Sequence, residues 1–232
     1  MKKMNRFHLK LIAALTMLMD HIAVLFFEYD SMIYTIFRSI GRISFVLFAY
    51  LLAEGFHKTL NRKKFFQRLL IFAALIEGFI VGYYFLSGEN MILTFNIFWT
   101  LLAGVFGLFL IYHEKSYMKF GLILVVALSE FLGFSYGAYG VLLIVFFGIS
   151  ANKFTNLFHL VFLNLIFIDK PLMIVSGNEG YYKFPVIQWF SLGAIVFIFL
   201  YNGTLGKYKW KWFFYVFYPG HLFMLYLISL IT

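Results

Sequence analysis

Residues 9–27 read LKLIAALTMLMDHIAVLFF, an apolar run with Lys10 at its start and the ionisable pair Asp20-His21 inside it. Wound as a helix at 1.5 Å per residue, the run is roughly 28 Å long, close to the ~30 Å hydrocarbon core of a bilayer. The preceding Met1-Lys2-Lys3-Met4-Asn5-Arg6 resembles the basic start of a signal peptide. The run is too long for that, carries Asp20-His21, and lacks an Ala-x-Ala exit, so it reads as an uncleaved first span.

Further runs of the same kind follow at 36–56, 65–86, 91–112, 120–134, 138–149, 155–168, 186–201 and 213–231. The pattern predicts an all-α, polytopic transmembrane bundle of about nine spans, with residues 1–232 forming one membrane-embedded domain. The runs at 120–134, 138–149 and 155–168 are short, as tilted or re-entrant segments would be. Gly133-x-x-x-Gly137 lies at a span boundary and reads as a turn, not a helix-pairing seam.

Composition agrees. The 232 residues are 63% hydrophobic and 12% charged, against about 25% charged in soluble domains. The formal net charge of +9 would suggest nucleic acid in a soluble chain. Here the cations fall between apolar runs and read as topology signals, with no nucleic-acid role. With the N-terminus in the cytosol and the C-terminus outside, all of the 19 Lys and Arg except Arg38, Arg42, Lys170 and Lys183 fall on the cytosolic side. The outer loops hold Glu28, Asp30, Glu89, Asp169 and Glu179. The expected location is therefore the cytoplasmic membrane, with multiple passes. The chain has no cysteine, which excludes disulfides, thiolate metal sites and an acyl-cysteine intermediate.

A charge deep in a span costs about 2.5–3.5 kcal/mol, so such residues are functional candidates. Asp20 and His21 come first. Neighbours on one helix point about 100° apart, so each is expected to work with a third group rather than with the other. Lys10 lies almost three turns before His21 and shares its face, about 16 Å away. Arg38 and Arg42 are one turn apart on one face, and an Arg–carboxylate pair with Asp20 is their natural scheme. His221 follows Pro219-Gly220, where the proline removes a helix donor and the glycine allows another backbone to approach. Glu54 is placed to pair with Lys58 one turn on, and Glu77 lies near mid-span. His8, His57, His113 and His159 fit no metal motif, and no metal is expected. No phosphate-binding loop, dinucleotide fingerprint or Gly-x-Ser-x-Gly elbow occurs.

The segment 9–22, LKLIAALTMLMDHI, resembles the opening motif of the TraX family. So do 38–56, RSIGRISFVLFAYLLAEGF, the following His57-Lys58-Thr59, and Arg68-Leu69. The tail is similar too, in Tyr201-Asn202-Gly203 and in 214–222, FYVFYPGHL. The named member of that family acetylates the N-terminus of a conjugative pilin. The resemblance implies a membrane acetyltransferase that takes acetyl from acetyl-CoA and gives it to an exported protein or glycan. It also extends to wider membrane acyltransferases, which carry Arg, ten residues, then a catalytic His. Lys10 and His21 stand at those positions. On this likeness His21 and Asp20 are catalytic, and Lys10 and Arg68 hold acetyl-CoA. Arg38, Arg42, Glu54, Glu77 and His221 form a substrate or structural polar network.

The rival reading is a proton-coupled transporter or flippase, because intramembrane Asp, Glu and His also build proton relays. Transporter folds commonly show repeated halves, and no repeat is detected here. A third reading is a non-catalytic membrane subunit, which would tolerate loss of Asp20, His21 and Arg42.

Overall fold

The computed structural model describes residues 4–29, 31–87, 95–167, 186–207, 213–229 and 231. Among these the chain is all-helical, with nine α-helices. They are α1 (Arg6–Phe26), α2 (Met32–Lys58), α3 (Arg62–Ser87), α4 (Ile97–Ile111), α5 (Gly121–Phe131), α6 (Gly137–Ile149), α7 (Lys153–Phe167), α8 (Gly193–Leu200) and α9 (Phe213–Ser229). Tight 3-10 turns cover Ser116–Phe120 and Val186–Leu192. Residues 91–94, 168 and 230 of the expected spans lie outside the described residues. So do the loop charges Lys2, Lys3, Asp30, Glu89, Asp169, Lys170, Glu179, Lys183, Lys209 and Lys211.

Three helices are long and apolar enough to cross a membrane: Arg6–Phe26, Met32–Lys58 and Arg62–Gly82. Among the described residues the other segments expected as spans are shorter apolar helices. α4 and α7 have 15 residues each, or roughly 22 Å of rise, and α5, α6 and α8 are shorter.

Helix starts also differ from the expected run boundaries, for one recurrent reason. An apolar run marks what lipid tolerates, but a helix begins where a side chain takes up its first free N–H groups. Asn5 and His8 form a reciprocal capping box, so α1 starts three residues before Leu9. The Ser31 hydroxyl accepts from Tyr34 N–H at 3.1 Å, and α2 begins at Met32 rather than Ile36. Asn61 accepts from Lys64 N–H at 2.8 Å, and α3 begins at Arg62 rather than Phe65. Asn96 and Asn152 do the same for α4 and α7. The run 186–201 is a 3-10 segment followed by α8, not one α-helix. Its buried Ser191 accepts from Asn164 Nδ2 of α7 at 3.0 Å.

The chain divides into two compact units, with the boundary inside α2. The first holds residues 1–51, 151–173 and 178–232. In it α1 packs on α9, and Leu9, Leu51 and Tyr201 form a buried cluster. Met4 and Asn202 exchange backbone bonds with the end of α8: Met4 N–H donates to the Leu200 carbonyl at 3.0 Å and Asn202 N–H to the Met4 carbonyl at 2.8 Å. The Lys153 ammonium donates to the Phe199 and Tyr201 carbonyls, satisfying the C-terminus of the same helix.

The second unit holds residues 52–150 and 174–177, with α4 packed between α3, α5 and α6. Glu77 and Glu130 of this unit each accept hydrogen bonds at the start of a helix. Glu77 Oε2 accepts from Asn96 N–H at 3.1 Å, Asn96 Nδ2 at 2.7 Å and Trp99 Nε1 at 3.2 Å, joining α3 to the start of α4. Glu130 accepts from Ala138 N–H at 2.9 Å, at the start of α6. Gly133 (φ 69°) and Gly137 (φ 43°) occupy the left-handed region, so the expected turn is present there.

Replacing Glu77 by leucine leaves three donors without their acceptor and is expected to cost about 2–4 kcal/mol, whereas glutamine, which keeps an oxygen, costs about 1 kcal/mol. Thermal unfolding in detergent, followed by tryptophan fluorescence, measures both; equal stability of the leucine variant and the parent would remove Glu77 from this joint.

Candidate functional site

The first unit brings together five of the residues singled out from the sequence: Asp20 and His21 on α1, Arg38 and Arg42 on α2, and His221 on α9. Asp20 receives Arg38 Nη1 on one carboxylate oxygen at 2.6 Å and Arg42 Nη2 on the other at 2.9 Å. The expected Arg–carboxylate pairing is thus present, and both arginines take part. Their side chains are 21% and 9% exposed and that of Asp20 17%, so these are largely desolvated charges whose separation would be costly.

Gly41 makes this contact possible. It sits on α2 between the two arginines, and a Cβ there would overlap the Asp20 side chain. Close approach of two helices at a small residue is how apolar-phase interfaces gain packing. A second link, Ser44 Oγ donating to the Ala13 carbonyl at 2.8 Å, fixes the same pair of helices further along α1.

Asp20 makes no bond to His21, as the helical geometry requires. His21 Nδ1 lies 2.8 Å from His221 Nε2, and His221 Nδ1 lies 2.7 Å from the Phe217 carbonyl. A carbonyl can only accept, so His221 Nδ1 carries a hydrogen. In a neutral His221 the Nε2 is then bare and accepts, so the hydrogen of the link belongs to His21 Nδ1. By elimination His21 Nε2 holds a lone pair, and no described residue bonds to it. His21 is half-buried, whereas His221 is 6% exposed. The His221 ring stacks on Phe217 (centroids 4.9 Å, 12° between planes) and meets Tyr218 edge-on, which fixes its orientation. The site therefore offers one imidazole nitrogen of proton-acceptor character on a half-buried ring, oriented by a buried second imidazole.

Lys10 is half-buried on α1, and helix geometry keeps it on the face of His21. Glu54, Glu77 and Arg68 belong to the second unit. Glu54 pairs with Lys58 at 2.6 Å, as its spacing predicts. Lys58 is 43% exposed, so the pair contributes at most about 1 kcal/mol. Arg68 keeps a buried Nε with no hydrogen-bond partner among the described residues.

Two sequence expectations need correction or completion. Gly220 does not mediate a close approach: no described atom lies within 4 Å of where its Cβ would be. The His21–His221 link was not foreseen, because no periodicity in sequence joins residues 200 positions apart. The roles of Gly41 and the Phe217 carbonyl were missed as well; a glycine between two intramembrane arginines was the one available signal.

The family model described as "TraX protein" matches residues 5–229. A curated relative, "Probable fimbrial assembly protein FimC, serogroup H1" of Dichelobacter nodosus, is 26% identical over 233 residues. That alignment covers 95% of this chain and 94% of the relative. No solved structure matches.

Asp20→Asn leaves two guanidiniums facing a neutral amide and is expected to lower stability by about 2–4 kcal/mol. Gly41→Val should produce a comparable loss by forcing Asp20 aside. Thermal unfolding of both variants in detergent checks this; a Gly41→Val protein as stable as the parent would show that the two helices need no such close contact.

Proposed function

The chain belongs to the TraX family, and on that premise we propose that it is a membrane-embedded acetyltransferase acting on an amine or hydroxyl of an exported acceptor. The similarity to a relative named for fimbrial assembly supports an acceptor of the pilin type, and a surface glycan offers the same nucleophiles. The proposed topology places the N-terminus and the basic loops in the cytosol and the C-terminus outside, in the cytoplasmic membrane.

The observation that carries the reading is the hydrogen-bonded chain from the Phe217 carbonyl through His221 to His21, which leaves His21 Nε2 as a proton acceptor. Acetyl-CoA, the proposed donor, supplies an activated acetyl thioester. His21 Nε2 takes the proton from the acceptor nitrogen or oxygen as that atom attacks the thioester carbonyl. The resulting imidazolium keeps its Nδ1–H on His221 Nε2, which holds the ring and spreads the new charge. Collapse of the tetrahedral adduct breaks the carbon–sulfur bond, and His21 returns the proton to the departing sulfur. Atoms and charge balance, and His21 ends as it began. Asp20, with both its oxygens on Arg38 and Arg42, fixes α1 against α2 beside the base.

Lys10 is assigned to the donor's phosphates within the first unit. The length of α1 between Lys10 and His21, almost three turns, suits the reach of a pantetheine arm.

His21→Ala is expected to lower acetyl transfer about 10²- to 10⁴-fold, the usual worth of a general base. His221→Gln, whose amide oxygen still accepts from His21 Nδ1, should retain more activity than His221→Ala. Mass spectrometry of surface proteins and glycans from cells carrying each variant reads this as gain or loss of roughly 42 Da, one acetyl group. Unchanged acetylation in the His21→Ala strain would take His21 out of the chemistry.

A further inference from the structure

Asp20 carries one negative charge and meets two guanidiniums. The carboxylate thus shares its two oxygens between two cations on neighbouring helices. Among the described residues of the first unit the other carboxylate is Glu28, exposed beyond the end of α1.

The two arginines differ in what they have left to give. Arg42 directs Nε to the Arg38 carbonyl at 3.3 Å and Nη2 to Asp20, and it is nearly fully buried. Arg38 uses Nη1 on Asp20, and its guanidinium lies over the Tyr34 ring, 5.9 Å from the centroid. No described residue takes its Nε–H or Nη2–H, and its side chain is the more exposed of the pair. Nε and Nη2 form the edge of a guanidinium that grips a carboxylate or phosphate with two parallel bonds. That edge is open.

We propose that the Nε/Nη2 edge of Arg38 binds a carboxylate or phosphate group of the acceptor, holding its nucleophile beside His21. The inference rests on the acetyl-transfer reading and names the acceptor's chemical class: a molecule with an anionic group close to the amine or hydroxyl that receives the acetyl. The anion cannot come from the donor as placed above. The donor's phosphates are assigned to Lys10, about 16 Å along α1 from His21, and its thioester end is uncharged. Arg38 is held by Asp20, the residue before His21 on α1, which sets the proposed anion site one residue along the helix from the base.

The test uses the full chain purified in detergent and ligand-observed NMR titration with four probes. Glycerol phosphate and propionate are the anions; glycerol and propionamide are their uncharged matches. The parent is expected to bind both anions saturably and neither match. Arg38→Lys keeps the charge for Asp20 but loses the two-pronged edge, and should weaken anion binding at least tenfold. Arg62→Gln, at the basic start of α3, should leave it unchanged. Equal anion binding by the Arg38→Lys protein, with helical circular dichroism intact, would overturn the proposal, as would equal binding of the uncharged probes. Acetyl-CoA binding is titrated on the same samples. Acetyl-CoA binding with no anion binding sinks this inference alone. Anion binding with no acetyl-CoA binding sinks the acetyl-transfer reading and leaves Arg38 an anion site.

Discussion

A charge held away from water must be answered inside the protein, and in this chain that answer is Asp20 between Arg38 and Arg42. Each carboxylate oxygen takes one guanidinium, so the site is specified by three side chains on two helices. The contact dictates the rest locally. It demands a glycine where Asp20 meets α2, it fixes the rotation of α1, and that rotation turns the next residue, His21, toward α9. Ion pairs of this kind add little net stability compared with apolar packing, but they strongly penalise any other register. Here they act as a key that sets one helix against another.

The polar groups on the helices divide into two kinds once their partners are known. Glu77 accepts from the Asn96 backbone and side chain and the Trp99 indole, and Glu130 from the Ala138 N–H, all within the second unit. They do at helix ends what Asn5, Asn61, Asn96 and Asn152 do elsewhere. The first-unit cluster differs in what it leaves over: a lone pair on an imidazole and an open edge on Arg38. Depth in an apolar run does not separate the two kinds, since Glu77 lies as deep in its run as Asp20. The partners do: helix-start N–H groups and an indole in one case, guanidiniums and a second imidazole in the other.

Much of the fold was legible in the sequence because lipid imposes a simple rule: backbone polar groups must be satisfied within the segment, so long apolar runs become helices. Positions and types of the helices followed from that rule. Their starts did not, because Asn5, Ser31, Asn61 and Asn152 act by local hydrogen bonds that a hydropathy pattern ignores. The fracture of 186–201 into a 3-10 segment and a short helix was also hidden, since its buried Gln188 and Ser191 read as minor polar interruptions. In the site, the Asp20–arginine contact was predictable from opposite charge at comparable depth. The His21–His221 bond was not, because it depends on how the last helix packs against the first.

That last bond has a consequence for biosynthesis. A membrane chain is inserted as it is made, and α1 precedes α2 in it. Arg38 and Arg42 follow within some twenty residues, so Asp20 finds its counter-ions almost at once. The imidazole next to it waits for His221, near the far end of the polypeptide. Until α9 has been made the His21 imidazole lacks the partner that orients it, so of the described helices it is the last one made that completes the His21–His221 bond.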